Sequence, residues 1–225
     1  MTLFKGQALH LVALAVLLAI VVAVAQAGSD VLAGHWWGMS TSAWLVIAVA
    51  TPIVHQVYVW LVWRLELTRG AVSGALGRER GFRLYQAGFS IFFVGRLLTI
   101  IGLGLANQGT LPLSPPLAYG LAAVLLLPAL YLFYSVARYF GVERAYGIDH
   151  FDSAYRSKPF VKQGIFRFTS NGMYTYGFLA LWVPGLLLLS QAALLAAAFN
   201  HAYIWVHYYA TELLDIRYLY GSQKT

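Results

Sequence analysis

Four polar side chains recur along one apolar segment near the carboxyl end of the chain, with spacings that place them on one helical face. His201 is followed by Tyr208, Glu212 and Asp215 seven, eleven and fourteen residues later, as on an α-helix. A neighbouring stripe contains Asn200, Tyr203, His207 and Thr211. Such a helix predicts a polar cavity near the inner membrane surface, where Glu212 or His207 could accept a proton. An interfacial aromatic belt is the alternative, but it does not account for His201 and Asn200, which lie far within the apolar segment.

The polar stretch 138–172, which precedes this part of the chain, holds the other candidate groups. Aromatic and basic residues alternate there, a composition typical of the membrane interface, where rings lie among headgroups and cations contact phosphate. His150 is a third candidate proton acceptor, and a lipid phosphate could bind the side chains of Arg156, Lys158 and Lys162. A membrane-hugging connector without a binding role is the alternative interpretation.

The composition indicates which kind of molecule must position these groups. The chain has 225 residues, of which 60% are hydrophobic and 10% charged, whereas an average soluble domain is about 25% charged. No cysteine is present, which excludes disulfides, thiolate metal sites and cysteine nucleophiles. The polar part is too small for a separate catalytic domain, so an active site must lie in or at the bilayer.

The hydropathy pattern predicts an all-α, polytopic membrane protein with about six transmembrane helices, the last two forming a carboxy-terminal hairpin. The predicted spans are residues 8–27, 42–63, 85–106, 117–137, 173–190 and 192–209. The first span also resembles a secretory signal peptide, but its apolar run is longer than a signal core, so we expect a retained helix. We expect one membrane domain, with residues 1–116 free of motifs and residues 117–225 carrying the functional core.

The positive charges predict the orientation of these spans. With six spans and the amino terminus inside, the inner segments 1–7, 64–84, 138–172 and 210–225 hold 14 of the 15 basic residues. The outer connections hold none, so the positive-inside rule predicts that both termini are cytoplasmic. The composition favours a bacterial inner membrane. The net charge of +7 therefore indicates topology and contact with anionic lipid rather than a nucleic-acid partner.

The fifteenth basic residue, Arg96, falls in the middle of the third span. A cation there must face the interior of the bundle, where it either fixes packing through an ion pair or capped carbonyls, or takes part in the site. His55 and His201 could suggest haem, but no attachment motif is present and nothing specifies paired axial ligands. We therefore expect hydrogen-bonded packing histidines and no metal site.

Short motifs between residues 131 and 221 complete the sequence evidence. Residues 164–168 read Gly-Ile-Phe-Arg-Phe, residues 171–174 read Asn-Gly-Met-Tyr, and Glu212 stands near the inner end of the last helix. This order resembles the integral-membrane methyltransferases, which include phosphatidylethanolamine N-methyltransferase and isoprenylcysteine carboxyl methyltransferase. Gly172 replaces a proline of the family motif, and Thr211 stands where some members have the first of two glutamates. The Asn-x-Met-Tyr form, in place of Arg-His-Pro, favours the phospholipid branch.

The resemblance implies S-adenosylmethionine as methyl donor, with Gly164, Asn171, Tyr174 and Glu212 at its binding site. Arg167 could pair with the donor carboxylate. Aromatic side chains could hold the adenine and the sulfonium by stacking and cation–π attraction, namely Phe166, Phe168, Tyr174 and Tyr208. The chemistry requires neither metal nor covalent nucleophile.

The expected function is methyl transfer to a membrane lipid at the inner face, with N-methylation of phosphatidylethanolamine or its methylated forms preferred. O- or S-methylation of an isoprenylcysteine-like or small lipophilic acceptor is the alternative within the same chemistry. A non-catalytic scaffold or transporter is the alternative from another class, although no internal repeat of the transporter kind is present. The oligomeric state stays open.

Overall fold

The computed structural model describes residues 1–28 and 30–221 and is almost entirely helical. Lys224, one of the basic residues assigned to the inner side, lies outside the described residues. The amino-terminal part consists of α1 (Gln7–Ala27), a small hairpin of β1 (His35–Trp36) and β2 (Met39–Ser40), α2 (Thr41–Arg69), α3 (Ala71–Leu76) and α4 (Arg78–Ala106). The strands β1 and β2 pair antiparallel, with His35 opposite Ser40.

Four helices of the described chain are long and apolar enough to cross a membrane. They are α1, α2, α4, and α5 (Pro115–Ser135), which continues through a π-helical turn (Val136–Phe140). These helices confirm the all-α membrane fold. Helix α2 extends beyond its predicted span at its carboxyl end, and α4 extends beyond its predicted span at its amino end. The Ser40 hydroxyl accepts a hydrogen bond from the Ala43 amide and so caps α2 at its start, while Gly70 ends it at φ 57°, a left-handed conformation that favours glycine.

The carboxy-terminal hairpin is less regular than predicted. Its first arm is not one continuous helix but consists of α7 (Gly172–Tyr176), a 3₁₀ turn (Gly177–Leu181) and α8 (Val183–Leu187). Its second arm is α9 (Gln191–His207), which continues through a π-helical turn (Tyr208–Glu212) into α10 (Leu213–Tyr220). The short α6 (Val142–Ala145) and three 3₁₀ turns (Ile148–His150, Ser153–Tyr155 and Gly164–Arg167) form the polar connection before the hairpin. Glycine and Pro184 interrupt the first arm, because both disfavour a continuous helix.

The hairpin nevertheless runs along the full height of the helix bundle. At its tip, the Ser190 hydroxyl donates to Asn107 Oδ1 over 3.0 Å, at the end of α4. At the opposite end, Asp215 of α10 contacts Arg64 of α2, with 2.6 Å between the carboxylate and Nε. Each arm therefore connects the same two ends of the bundle as the four long helices do.

Helix α9 lies at the centre of the bundle and packs against α1, α2 and α4. Its small residues Ala193 and Ala197 are fully buried, which lets the neighbouring helices approach closely. A Cβ atom on Gly102 would lie 2.5 Å from the Trp44 ring, and one on Gly104 would lie 2.7 Å from Leu188. The Gly-x-Gly pair of α4 thus serves helix packing. Helix α5 stands at the side and packs mainly against the first arm of the hairpin.

Candidate active site

A cavity of about 400 Å³ lies between α2, α4, α5 and the hairpin, a volume within the usual range of small-molecule sites. Phe93 and Leu97 of α4 and Phe133 of α5 line this cavity and are also exposed on the outer surface of the bundle. The cavity therefore opens sideways between α4 and α5, towards the membrane interior. Its lining is mostly apolar, with polar groups contributed by His55, Gln56, Arg96, Tyr174, His207 and Glu212.

Tyr174 and Glu212 form a polar pair at one end of this cavity. The Tyr174 hydroxyl donates a hydrogen bond to the Glu212 carboxylate. Tyr174 comes from α7, and Glu212 closes the π-helical turn that follows α9. Such a turn changes the direction in which a side chain leaves the helix and often occurs at functional sites. The structure thus brings together two residues that the sequence motifs place 38 positions apart.

A cluster of nitrogen-bearing side chains lies deeper in the cavity. Arg96 Nε donates to His55 Nδ1 over 3.1 Å, and both residues are buried. The two terminal nitrogens of Arg96 have no hydrogen-bond partner among the described residues, and the same holds for His207 Nδ1. The Arg96 guanidinium also lies 5.5 Å from the centre of the Phe178 ring. These groups give a largely apolar cavity one positively charged region.

A second polar group adjoins the Tyr174–Glu212 pair and does not line the cavity. The Tyr208 hydroxyl interacts with the Asn171 side chain and with the charge of Glu212. The rings of Tyr174, Trp205 and Tyr208 pack around one another, with centroids 5.4 to 5.8 Å apart. The structure therefore brings Tyr208 together with three residues that the sequence predicts at the donor site, Asn171, Tyr174 and Glu212.

The loop residues Gly164, Phe166 and Arg167 lie further from the cavity. Gly164 has φ +58°, and a Cβ atom there would lie 2.5 Å from the Ser135 hydroxyl. This hydroxyl accepts a hydrogen bond from the Ile165 amide. Phe166 is buried and stacks on Phe140 at 4.8 Å. Arg167 is exposed. The structure places Gly164 and Phe166 where they fix the loop against α5.

His150 belongs to a buried ionic cluster behind the cavity wall. Its Nδ1 lies 3.1 Å from Asp149, and its Nε2 lies 3.5 Å from Asp215, which in turn contacts Arg64 over 2.6 Å. Trp63 lines the cavity and stacks on His150 at 4.0 Å. His150 itself does not line the cavity.

Burial and the neighbouring carboxylates act in opposite directions on the imidazole. Burial alone lowers the pKa of His150, but hydrogen bonds with Asp149 and Asp215, together with their charges, raise the pKa to about 9. For Asp149, burial alone would raise the pKa, but hydrogen bonds from His150 and Tyr220 hold it below its ordinary value. The cluster therefore contains a protonated histidine between two carboxylates at neutral pH.

The basic residues predicted to bind phosphate lie on the polar connection between α6 and α7. Arg156 Nε donates to the Asp149 carbonyl over 2.9 Å, and the Lys158 ammonium lies 3.5 Å from the centre of the Tyr155 ring. Lys162 is exposed. None of the three lines the cavity.

Sequence reasoning missed two parts of this arrangement. Trp205 lies seven residues before Glu212, so helical spacing on the same face was the available signal. The contact between Arg96 and His55 joins residues 41 positions apart, and no local pattern encodes it. Within residues 1–28 and 30–221, no group of His, Asp and Glu side chains has the arrangement of a metal site.

Comparison with known proteins finds a family match for the carboxy-terminal part of the chain. Residues 117–223 match the model of the phospholipid methyltransferase family, which confirms the resemblance seen in the motifs. No curated protein and no solved structure matches the chain. The match begins in α5 and contains the whole hairpin, so Tyr174 and Glu212 lie inside it. Arg96 and His55, on the opposite wall of the cavity, lie outside it.

Proposed function

Because residues 117–223 match the model of the phospholipid methyltransferase family, we propose that this integral membrane protein transfers a methyl group from S-adenosylmethionine to the amine of phosphatidylethanolamine or its methylated forms. The observation that carries the proposal is the position of the Tyr174–Glu212 pair. One side of the pair faces a laterally open, mostly apolar cavity, and its other side adjoins Asn171 and Tyr208. An acceptor lipid in the cavity and a donor beside Asn171 would meet at this pair.

The residues of the second group fit the methyl donor chemically. When bound, S-adenosylmethionine supplies an electrophilic methyl group on a positively charged sulfur. The Glu212 carboxylate suits the amino group of the donor, and the Asn171 amide suits its ribose. The sulfonium cation suits a site between aromatic rings, here those of Tyr174, Trp205 and Tyr208. Arg167, at the exposed rim, is our candidate for the donor carboxylate. Gly164 and Phe166 would act by holding the loop in place.

The remaining chemistry concerns the amine of the acceptor, whose nitrogen must be neutral to attack carbon. A carbon–nitrogen bond forms as the carbon–sulfur bond breaks, and the nitrogen loses a proton. Glu212 is the proposed proton acceptor, held in position by the Tyr174 hydroxyl, and His207 lines the same cavity. The separation of His150 from the cavity by Trp63 favours these two residues over His150. Apolar walls exclude water from the reacting atoms.

The proposal also includes the orientation of the helix bundle in the membrane. The Arg64 guanidinium contacts both the Thr2 carbonyl and Asp215, so the segments at the two ends of the described chain lie at one end of the bundle. The basic loop with Lys158 and Lys162 precedes the hairpin arm that starts at this end. We assign this end to the cytoplasmic side by the positive-inside rule, where the soluble donor would enter.

The test is calorimetric titration of the detergent-purified protein with S-adenosylhomocysteine, the product of the donor. We expect saturable binding by the wild type, and at least about tenfold weaker binding by Glu212→Gln and by Asn171→Ala, because each loses a polar contact to the donor. Glu79→Gln is the matched control, since this glutamate is 80% exposed at the inner end of α4. Unchanged affinity in both site variants would remove the assignment.

A second candidate is O-methylation of a small lipophilic acid, favoured by the positively charged Arg96 in the cavity. Transfer of radiolabelled methyl to phosphatidylethanolamine and to a fatty acid, measured side by side, separates the two acceptors. The family match favours either of them over a non-catalytic scaffold or transporter.

A further inference from the structure

Two arginines are buried inside the bundle, and their surroundings differ. Arg64 contacts the Asp215 carboxylate and donates to two backbone carbonyls, those of Thr2 and Thr211. Arg96 is 2% exposed, and among residues 1–28 and 30–221 its side chain makes one hydrogen bond, from Nε to His55. Both terminal nitrogens of Arg96 lack a partner in the described part of the chain. The role in packing expected of a buried arginine is therefore filled by Arg64 and not by Arg96.

Arg96, whose terminal nitrogens lack a hydrogen-bond partner among the described residues, lines the cavity. The described residues place no carboxylate within ion-pair distance of it: the carboxylate that lines the same cavity, Glu212, is engaged by Tyr174. The groups that interact with Arg96 include the neutral Phe178 ring, the imidazoles of His55 and His207, and the Tyr203 hydroxyl. A cation buried in apolar surroundings is costly unless an anion pairs with it. The site is thus complementary to an anionic group on a ligand.

The height of this region in the bundle can be compared with that of Glu212. Helices α2 and α9 run in the same direction, and Asn200 of α9 donates to the Ala48 carbonyl of α2. Seven residues further along each helix come His55 and His207, both lining the cavity. From His207 to Glu212 is five residues, a rise of about 7 Å. The Arg96 contact with His55 therefore lies about 7 Å, or roughly one and a half helical turns, deeper in the membrane than the carboxylate.

This separation matches a zwitterionic headgroup. In phosphatidylethanolamine the amine and the phosphorus are joined through four bonds of about 1.5 Å each, and hydrogen bonds at both ends add to the reach. A lipid of the inner leaflet has its amine nearest the surface, its phosphate deeper and its chains deepest. The chains could leave the cavity sideways past Phe93 and Leu97 of α4.

We propose that Arg96 binds the phosphate diester of the acceptor lipid and so holds its amine at Glu212. This inference rests on the proposed function and adds a specificity determinant on the wall of the cavity outside the family match. It predicts that the protein distinguishes amine lipids with a phosphate from amine lipids without one.

The test compares methylation of phosphatidylethanolamine with methylation of sphingosine, an amine lipid that has no phosphate, in mixed micelles. In Arg96→Gln we expect KM for phosphatidylethanolamine to rise at least about tenfold, as for loss of a charged hydrogen-bonding partner, and KM for sphingosine to stay the same. Arg96→Lys keeps the charge but not the two-pronged geometry, so a smaller rise is expected. Arg83→Gln is the control, because Arg83 lies on the same helix and is exposed. Affinity for S-adenosylhomocysteine reports whether each variant is folded.

A measurement on the wild type alone covers the case in which Arg96→Gln does not fold. Phosphatidylmethanol, a phosphate diester without an amine, should compete with phosphatidylethanolamine, whereas diacylglycerol should not. Equal inhibition by the two, or inhibition by a fatty acid alone, would overturn the assignment of a phosphate site. An effect of Lys158→Gln and Lys162→Gln without an effect of Arg96→Gln would also overturn it, since the phosphate would then lie at the surface. Absence of any amine-lipid methylation overturns the proposed function itself, whereas methylation that is insensitive to Arg96 overturns this inference alone.

Discussion

The buried cluster around His150 predicts a specific dependence of stability on pH. The pKa of this imidazole rises from 6.5 to about 9 in the folded protein, because the hydrogen bonds and charges of Asp149 and Asp215 outweigh the effect of burial. A group whose pKa is higher in the folded than in the unfolded state stabilises the fold while it is protonated in the folded state. The contribution of His150 is therefore fully present below pH 6.5 and is lost as the pH rises through about 9.

The magnitude follows from the difference between the two pKa values. Each pKa unit corresponds to about 1.4 kcal/mol, so the folded protein should lose about 3 kcal/mol of unfolding free energy between pH 6.5 and pH 10. For a chain of this length such a loss lowers Tm by about 6–12 °C. Deprotonation leaves two carboxylates facing one another across a neutral ring, with Arg64 as the remaining cation of the cluster.

Thermal unfolding in a mild detergent, followed by tryptophan fluorescence between pH 6 and pH 10.5, measures this loss. Other groups titrate in the same range, so the informative quantity is the difference between the wild type and His150→Gln. His35→Gln is the matched control, since His35 is exposed in the β1–β2 hairpin. A His150→Gln curve parallel to that of the wild type over the whole range would refute the reasoning.

Two further predictions concern the same end of the bundle. Asp215→Asn should destabilise the protein by about 3–5 kcal/mol, because Arg64 is left buried without its counter-charge; equal denaturation midpoints for the variant and the wild type would contradict this. Gly164→Ala should cost about 1–3 kcal/mol, since the residue has a left-handed backbone and its Cβ would meet the Ser135 hydroxyl. Gly120→Ala is the control for the second, because nothing lies within 4 Å of that position in α5 and alanine favours a helix by up to about 1 kcal/mol; similar thermal shifts in the two alanine variants would rule out strain at Gly164.

The sequence is sufficient to predict the four long helices, because each one must cover an apolar stretch that matches the thickness of a bilayer. Prediction is weaker for the first arm of the hairpin. Its hydropathy resembles that of a continuous span, but glycine and Pro184 divide it into short helices. The short helices pack against α5 and α9, and such tertiary contacts are not visible in a local window of sequence.

The candidate site shows the same division between local and long-range information. The motifs indicate Tyr174, Asn171 and Glu212, because short sequence patterns carry them. They do not indicate which groups face the other side of the cavity. The contact of Arg96 with His55 depends on how α2 and α4 cross. The burial of His150 depends on the packing of Asp215, from α10 near the carboxyl end of the chain, against its imidazole. Such contacts follow from tertiary packing and not from spacing along the chain.

The anchoring of the hairpin at both ends affects how a lipid can enter the cavity. Asn107 fastens its tip to the rest of the bundle through Ser190, and the Arg64–Asp215 ion pair fastens its far end. Helix α5 packs against the broken arm and scarcely contacts α4, and its other face is apolar and exposed. A lipid chain can therefore pass between α4 and α5 with few helix–helix contacts to break, whereas moving α9 would disrupt the core. The side entrance is thus a gap between two helices that scarcely touch, beside a hairpin that is held at both ends.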